Sequence, residues 1–241
     1  MLTPPHALAA NLRYRANTWI GERPRLAVSL YRRSARKRRF LVTPETELVI
    51  EAFPRSGSTY VWYAFMVAQG RDCAVATHAH VPAQVLLAID LGIPTLVLLR
   101  DPEAAVRSFR LREPHLAVNA MLDRYLSFYR VIAAQRHRIV LADFACAMSD
   151  VAGVIDRINA HYATSFRRLE PSPGNSDRIN QLLDARHRAI GGGALTSYRP
   201  NAEKACAKDA IDLAPYSAKL AACKELYAEL VSCLPGRDAS R

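Results

Sequence analysis

Apolar runs and amphipathic stretches alternate through the middle of the chain. Glu47 to Phe53 (ELVIEAF) is short, apolar and β-branched, is stopped by Pro54, and predicts a buried strand. Ser56-Gly57-Ser58 breaks the run. Thr59 to Gln69 then carries Val61, Trp62, Phe65 and Met66 at helical spacing and ends at Gly70. Ala74 to Thr77 predicts a second short strand, with a helix opening at Pro82. Pro94 to Arg100 (PTLVLLR) is the clearest buried strand, and Asp101-Pro102 starts the next helix with proline in its first turn. Leu116 to Gln135 fits a long amphipathic helix and Ile139 to Ala142 a fourth strand. Val151 to His161, Ser176 to Ile190 and Pro215 to Leu230 make the last third helical, with a flexible break at Gly191-Gly192-Gly193.

Strands alternating with helices imply right-handed crossovers and a central parallel sheet covered on both faces. The expected fold class is therefore a three-layer α/β/α domain with a P-loop-like strand–loop–helix and a helical carboxyl-terminal third. In such sheets ligands sit outside the carboxyl ends of the strands. At 241 residues, half of them hydrophobic, the chain is long enough to bury one sizeable α/β core.

Charge divides the chain differently. Residues 1–43 hold ten basic residues (Arg13, Arg15, Arg23, Arg25, Arg32, Arg33, Arg36, Lys37, Arg38 and Arg39) against one acid, Glu22. Of the formal charge of +11, the remainder therefore carries only +2. The expected organisation is a basic arm, 1–43, ahead of a single domain, 44–241. The arm could lie on an anionic membrane, hold an acidic glycan or nucleic acid, or be a solvated helix or disordered segment. Aromatics are few and no reader motif appears, so nucleic acid is the weakest of these partners. The five cysteines are widely spaced and never form C-x-x-C, which argues against a disulfide framework or zinc site. With no apolar run of membrane-spanning length and no visible secretory signal, the expected location is cytoplasmic, with peripheral membrane contact through the arm.

Two segments carry candidate chemistry. Phe53-Pro54-Arg55-Ser56-Gly57-Ser58-Thr59-Tyr60 joins a strand to a helix, so turn and helix-terminal N–H groups converge as an anion site. Gly57 permits close backbone approach, Ser56, Ser58 and Thr59 add hydroxyls, and Arg55 adds fixed charge. The Walker pattern G-x-x-x-x-G-K-[S/T] is absent. The second segment is Arg100-Asp101-Pro102 with Ser108 two helical turns on. There an arginine at a strand end can fork onto phosphate oxygens.

Together these segments, in this order, resemble the PAPS-dependent sulfotransferase family (PAPS being 3′-phosphoadenosine 5′-phosphosulfate). The likeness rests on Pro54 through Tyr60, on Arg100 through Ser108, and on Ile139 to Phe144, which departs from the family by placing Ala142 where an acid is usual. It covers roughly residues 48–166. The resemblance implies that the first segment binds the 5′-phosphosulfate, the second the 3′-phosphate, and Tyr60 the adenine. It gives Arg55 the role of stabilising the leaving group. Thr77-His78-Ala79-His80-Val81-Pro82 is similar to the family's histidine-base segment: His78 keeps the preceding threonine, while His80 keeps the spacing to proline and is preferred. Arg199 and Lys204 fall where the family often has a basic loop over the 3′-phosphate, without its glycine spacing. Asp101, Glu103 and Asp143 read as caps or structural groups, and the Trp62, Phe65 and Met66 stripe as core.

The implied activity is sulfuryl transfer from PAPS to a hydroxyl or amine, carbohydrate or lipid-linked by preference, leaving PAP and requiring no metal. The rival readings are a P-loop kinase or nucleotide hydrolase, and a non-catalytic protein that binds membrane or polyanion through its arm.

Overall fold

The computed structural model describes residues 5–38 and 40–235; of Pro5, Arg36 and Lys37 only the backbone is described. Its centre is a four-stranded, wholly parallel sheet in the order β2-β1-β3-β4, with β1 Leu48–Ala52, β2 Val75–Thr77, β3 Thr95–Leu99 and β4 Val140–Asp143. Each strand lies within two residues of its predicted position. β1, β3 and β4 are buried at every position, because helices cover both faces and no strand residue is left to meet water.

The pleat sends alternate residues to opposite layers. Leu48, Ile50, Ala52, Leu96, Leu98, Val140 and Ala142 pack under α4 (Ser58–Gln69), α9 (Val151–Tyr162) and α10 (Pro173–Ala189). Val97, Leu99 and Leu141 face α6 (Pro102–Arg112), α7 (Val118–Gln135) and α12 (Ser217–Ser232). On that second face α5 (Pro82–Asp90) covers Val49 and Ala76 through Ala88.

From β1 the chain steps outward to β2, then crosses back beneath β1 and continues from β3 to β4. The two halves diverge between β1 and β3, and the carboxyl ends of those strands open a crevice there. Tyr129 of α7 ties the two tips together: its hydroxyl donates to the Leu98 carbonyl at 2.7 Å and accepts from the Phe53 amide at 3.3 Å.

Two short elements that sequence periodicity did not predict start at side-chain caps. α8 (Phe144–Ser149) starts where the Asp143 carboxylate accepts from the Ala145 amide. α11 (Ala202–Asp209) starts where the Asn201 side chain accepts from the Lys204 amide at 2.7 Å. The basic arm is helical through its described part, as α1 (Pro5–Gly21), α2 (Pro24–Arg32) and α3 (Ala35–Arg38). It lies on the body: Tyr14 joins the core beside Phe109, and Ala27 and Tyr31 pack against Val81 and Ala83. Arg39 falls outside the described residues. Among the described residues no helix is long and apolar enough to cross a membrane.

Tyr129→Phe keeps the ring and its packing while leaving a buried amide and carbonyl short of a partner. It is expected to destabilise the fold by about 1–3 kcal/mol, read as a lower urea midpoint with an unchanged slope. An unchanged midpoint would show that the hydroxyl does not join the two tips.

Candidate functional site

The loop after β1 has to turn sharply into α4. Arg55 and Gly57 both take positive φ, 69° and 91°, and Gly57 is the N-cap residue of α4. A Cβ on Gly57 would lie 2.9 Å from Met148 Cε and 3.1 Å from Phe144 Cδ2, so sterics and φ both require glycine. Ser56, Ser58 and Thr59 are buried beneath the loop. The amides of Ser58 and Thr59 lie in the first turn of α4, where helix geometry supplies no carbonyl, and a buried turn of this kind is suited to an anion.

The two predicted segments meet. Arg55 Nε donates to Ser108 Oγ at 3.2 Å, and an Arg100 guanidinium nitrogen donates to the Arg55 carbonyl. Arg100 is fixed from the other side, its guanidinium 4.2 Å from the Phe144 ring centre and its carbonyl accepting from Tyr125 at 2.8 Å. Had these tips stood far apart, one nucleotide could not span them; they are hydrogen-bonded neighbours.

The carboxyl-terminal third closes the site. The Ser197 carbonyl accepts from both an Arg55 guanidinium nitrogen at 3.2 Å and Lys204 Nζ at 2.7 Å. Arg199 also lines the cavity, but its guanidinium meets Asp184 at 3.3 Å on the exposed side. Tyr60 is on the wall as well.

The resulting cavity, about 1280 Å³, is roomy enough for a nucleotide. Its wall is strongly cationic. Arg112, Arg124, Arg186 and Lys208 join Arg55, Arg100, Arg199 and Lys204 there, against one acid, Glu113. One terminal nitrogen of Arg112 and Nε of Arg186 are buried without a partner. Burial, with Arg112 and Arg100 adding repulsion, pulls Arg55 down to about 10. Burial, helped by Arg55, Lys208 and Arg100, pulls Lys204 down to about 8. Crowded, desolvated cations of this kind favour a multiply charged anion. Arg112, Arg124, Arg186 and Lys208 carry no sequence signal, because they lie on four different helices and match no motif.

The two histidines line the same cavity, and Arg124 donates to the His80 carbonyl at 2.7 Å. His78 (φ 63°) and His80 (φ 52°), with Arg55, are three of the four non-glycine residues at positive φ among the described residues. Backbone strain thus gathers at this site. Glu51, wholly buried on β1, holds the strained turn. Its Oε1 accepts from the Ala79 amide and from Gln84 Nε2, both at 2.9 Å, and its Oε2 accepts from the His80 amide at 2.9 Å. Sequence reasoning treated Glu51 as part of an apolar run; the signal available was the charge itself in the middle of ELVIEAF.

The histidines are held differently. His80 Nδ1 lies 2.8 Å from the Ala52 carbonyl. A carbonyl only accepts, so Nδ1 carries the proton and Nε2 is the basic nitrogen. His78 Nε2 lies 2.9 Å from Thr59 Oγ1, and its Nδ1 is buried without a partner. Burial lowers His80 to about 4, with Arg124 and Arg55 adding to it, and drives His78 well below its ordinary value. Burial raises Glu51 to about 7. Among the described residues no three His, Cys, Asp or Glu gather as a metal site would require.

These shifts give opposite pH slopes. A histidine depressed from 6.5 to about 4 contributes stability that is present above pH 6.5 and lost as pH falls toward 4. A glutamate raised from 4.5 to about 7 contributes stability that is present below pH 4.5 and lost as pH rises through 7. Between pH 7.5 and 5 the His80 contribution falls by about 2 kcal/mol. His80→Asn should therefore shift urea stability at pH 5 upward relative to pH 7.5, compared with wild type, and Glu51→Gln should shift it downward. Glu51→Gln should also cost about 1–3 kcal/mol at pH 7.5, since an NH₂ replaces one of the two accepting oxygens. Parallel pH profiles for all three proteins would show that these groups do not titrate in this way.

No protein-family model matches the chain, and no curated protein matches it. Among solved structures the chain is similar to mouse sulfotransferase SULT7A1 complexed with PAP, with a TM-score of 0.42 and 10% identity over 80% of this chain and 85% of that one. It is also similar to retinol dehydratase in complex with androsterone and inactive cofactor PAP, with a TM-score of 0.43 and 12% identity over 83% of this chain and 84% of that one.

Proposed function

We propose that this protein is a sulfotransferase that takes a sulfuryl group from PAPS and passes it to a hydroxyl or amine acceptor. The observation that carries the reading is the convergence of Arg55, Arg100, Ser108 and Lys204, drawn from three parts of the chain, on one cationic crevice between the β1 and β3 tips. Partnerless buried nitrogens on Arg112 and Arg186 fit a ligand with phosphates at both ends. In this reading the loop amides and Arg55 hold the 5′-phosphosulfate, and Arg100, Ser108 and Lys204 hold the 3′-phosphate. Tyr60 faces the adenine, and Arg199 takes a rim position.

PAPS supplies the sulfuryl group, which leaves its 5′-phosphate oxygen as the acceptor oxygen or nitrogen bonds to sulfur. The protein's part is positioning and charge. Arg55 lies where negative charge grows on the departing phosphate oxygen. Always protonated, it stabilises that charge without giving up a proton. His80 is the base: Nε2 takes the acceptor's proton while Nδ1–H stays on the Ala52 carbonyl. Its lowered pKa keeps it neutral at physiological pH, before any bound anion raises it. His78, engaged with Thr59, orders the wall beside it. A carbohydrate or lipid-linked acceptor suits the wide cavity and the basic arm at its edge.

Calorimetric titration with PAP should show binding, and ATP should bind much more weakly. A preference for ATP would favour nucleotide phosphoryl chemistry instead, and binding of neither would leave a non-catalytic protein. In an acceptor screen with radiolabelled PAPS, Arg55→Ala should lower turnover about 10²- to 10³-fold. His80→Ala should lower it about 10²- to 10⁴-fold, with a smaller effect for His78→Ala. Wild-type transfer rates in Arg55→Ala or His80→Ala would remove the role given to that residue.

A further inference from the structure

α1 has two unlike faces. At 3.6 residues per turn, Leu8, Leu12, Arg15 and Trp19 fall within an arc of about 60°. Ala7, Tyr14 and Gly21 fall on the far side and are buried against the body. Leu8, Leu12 and Trp19 are 58%, 61% and 54% exposed. With Leu30 of α2 they make up four of the six large hydrophobic side chains exposed among the described residues. A scattered exposed leucine needs no explanation, whereas an aligned stripe opposite a helix's packed side does.

The surroundings indicate what covers it. Arg13 and Arg15 of α1, Arg25 and Arg32 of α2, and Arg23 and Arg33 flanking α2 are all exposed. The one acid of the arm, Glu22, is engaged by Ser127 of the body and lies 3.6 Å from Arg23. The Arg23 guanidinium lies 3.7 Å from the Trp19 ring centre, so cation and indole form one amphipathic unit. A second copy of the chain would bring two strongly positive surfaces together. A polyanion such as nucleic acid or heparin would pair with the arginines but leave the leucines in water. A bilayer with acidic headgroups satisfies both, taking leucine and tryptophan into the acyl boundary and arginine against phosphate.

We propose that α1 and α2 form a docking surface for an anionic membrane, entered by Leu8, Leu12 and Trp19 and held by the surrounding arginines. The protein lies on that surface and does not span it. The same arm supplies Tyr31, Ser34 and Phe40 to the wall of the cationic cavity, so docking brings the cavity to the lipid surface. Membrane docking stands apart from the sulfotransferase reading, since lipid binding is measured without any transfer reaction.

The test is co-sedimentation of the full chain with vesicles of phosphatidylcholine alone, or of phosphatidylcholine with phosphatidylglycerol, alongside tryptophan emission spectra. Binding is expected to the acidic vesicles only, to weaken as salt rises, and to shift emission to the blue; Trp19→Phe should abolish the shift. Leu12→Ser should weaken binding about tenfold and Arg15→Glu by fivefold or more. Both sites are exposed, so thermal melts should match wild type. Failure to bind acidic vesicles at low salt, equal binding to neutral ones, or binding indifferent to Leu12→Ser would overturn the proposal. So would a dimer in light scattering that Leu12→Ser dissociates, which would make a second copy the occupant. Heparin binding with no vesicle binding would make it a polyanion.

Discussion

A parallel sheet whose chain departs in two directions leaves a crevice that its own helices do not fill, and in this protein it lies between β1 and β3. Everything at the site depends on keeping those two tips in register. Tyr129 spans them from below, Tyr125 holds the Arg100 carbonyl, and Arg100 reaches across to the Arg55 carbonyl. The positive-φ turn at Arg55 and the glycine behind it exist because α4 must begin at once, with its first amides aimed into the crevice. Loosening the tips would separate the positive-φ turn after β1 from Arg100, which donates to it.

The second constraint is electrostatic. Cations crowded together repel, the more so where burial strips them of water, and a fold that gathers eight of them round one cavity with a single acid loses stability there. Part of that repulsion is offset by carbonyls: Ser197 accepts from both Arg55 and Lys204. The segment after α10 is thereby drawn over the site, although it has little apolar surface to hold it. Arg100 and Arg124 likewise donate to carbonyls, of Arg55 and His80, and Arg199 pairs with Asp184; an anion bound among them would relieve more of the repulsion and so add stability.

At the histidine turn, a buried carboxylate does what an apolar residue could not. Ala79 and His80 turn back in a strained conformation whose amides have no strand to pair with, and Glu51 accepts from both. With those amides fixed, His80 Nδ1 falls on the Ala52 carbonyl, and that contact selects the tautomer. Of two histidines two residues apart, one thus has a basic nitrogen free of Thr59 and the other does not. The ring orientation follows from β1, one strand away, and not from the residues between the histidines.

Much of this was legible in the chain. Short apolar runs located all four strands, with proline marking the ends of β1 and β3, since strand burial and turn chemistry are written over a few adjacent residues. The loop motifs marked Arg55 to Tyr60 and Arg100 to Ser108 for the same reason, and Pro82 anchored the register that favoured His80. Tertiary structure alone decided that Glu51 serves the histidine turn, that Arg112, Arg124, Arg186 and Lys208 share one wall, and that the Ser197 carbonyl links Arg55 to Lys204. It also decided that the basic arm is helical and lies on the body, with Leu8, Leu12 and Trp19 turned outward. A buried charge, a cavity wall or a helix's outer face depends on partners tens to a hundred residues away. No local period encodes such partners.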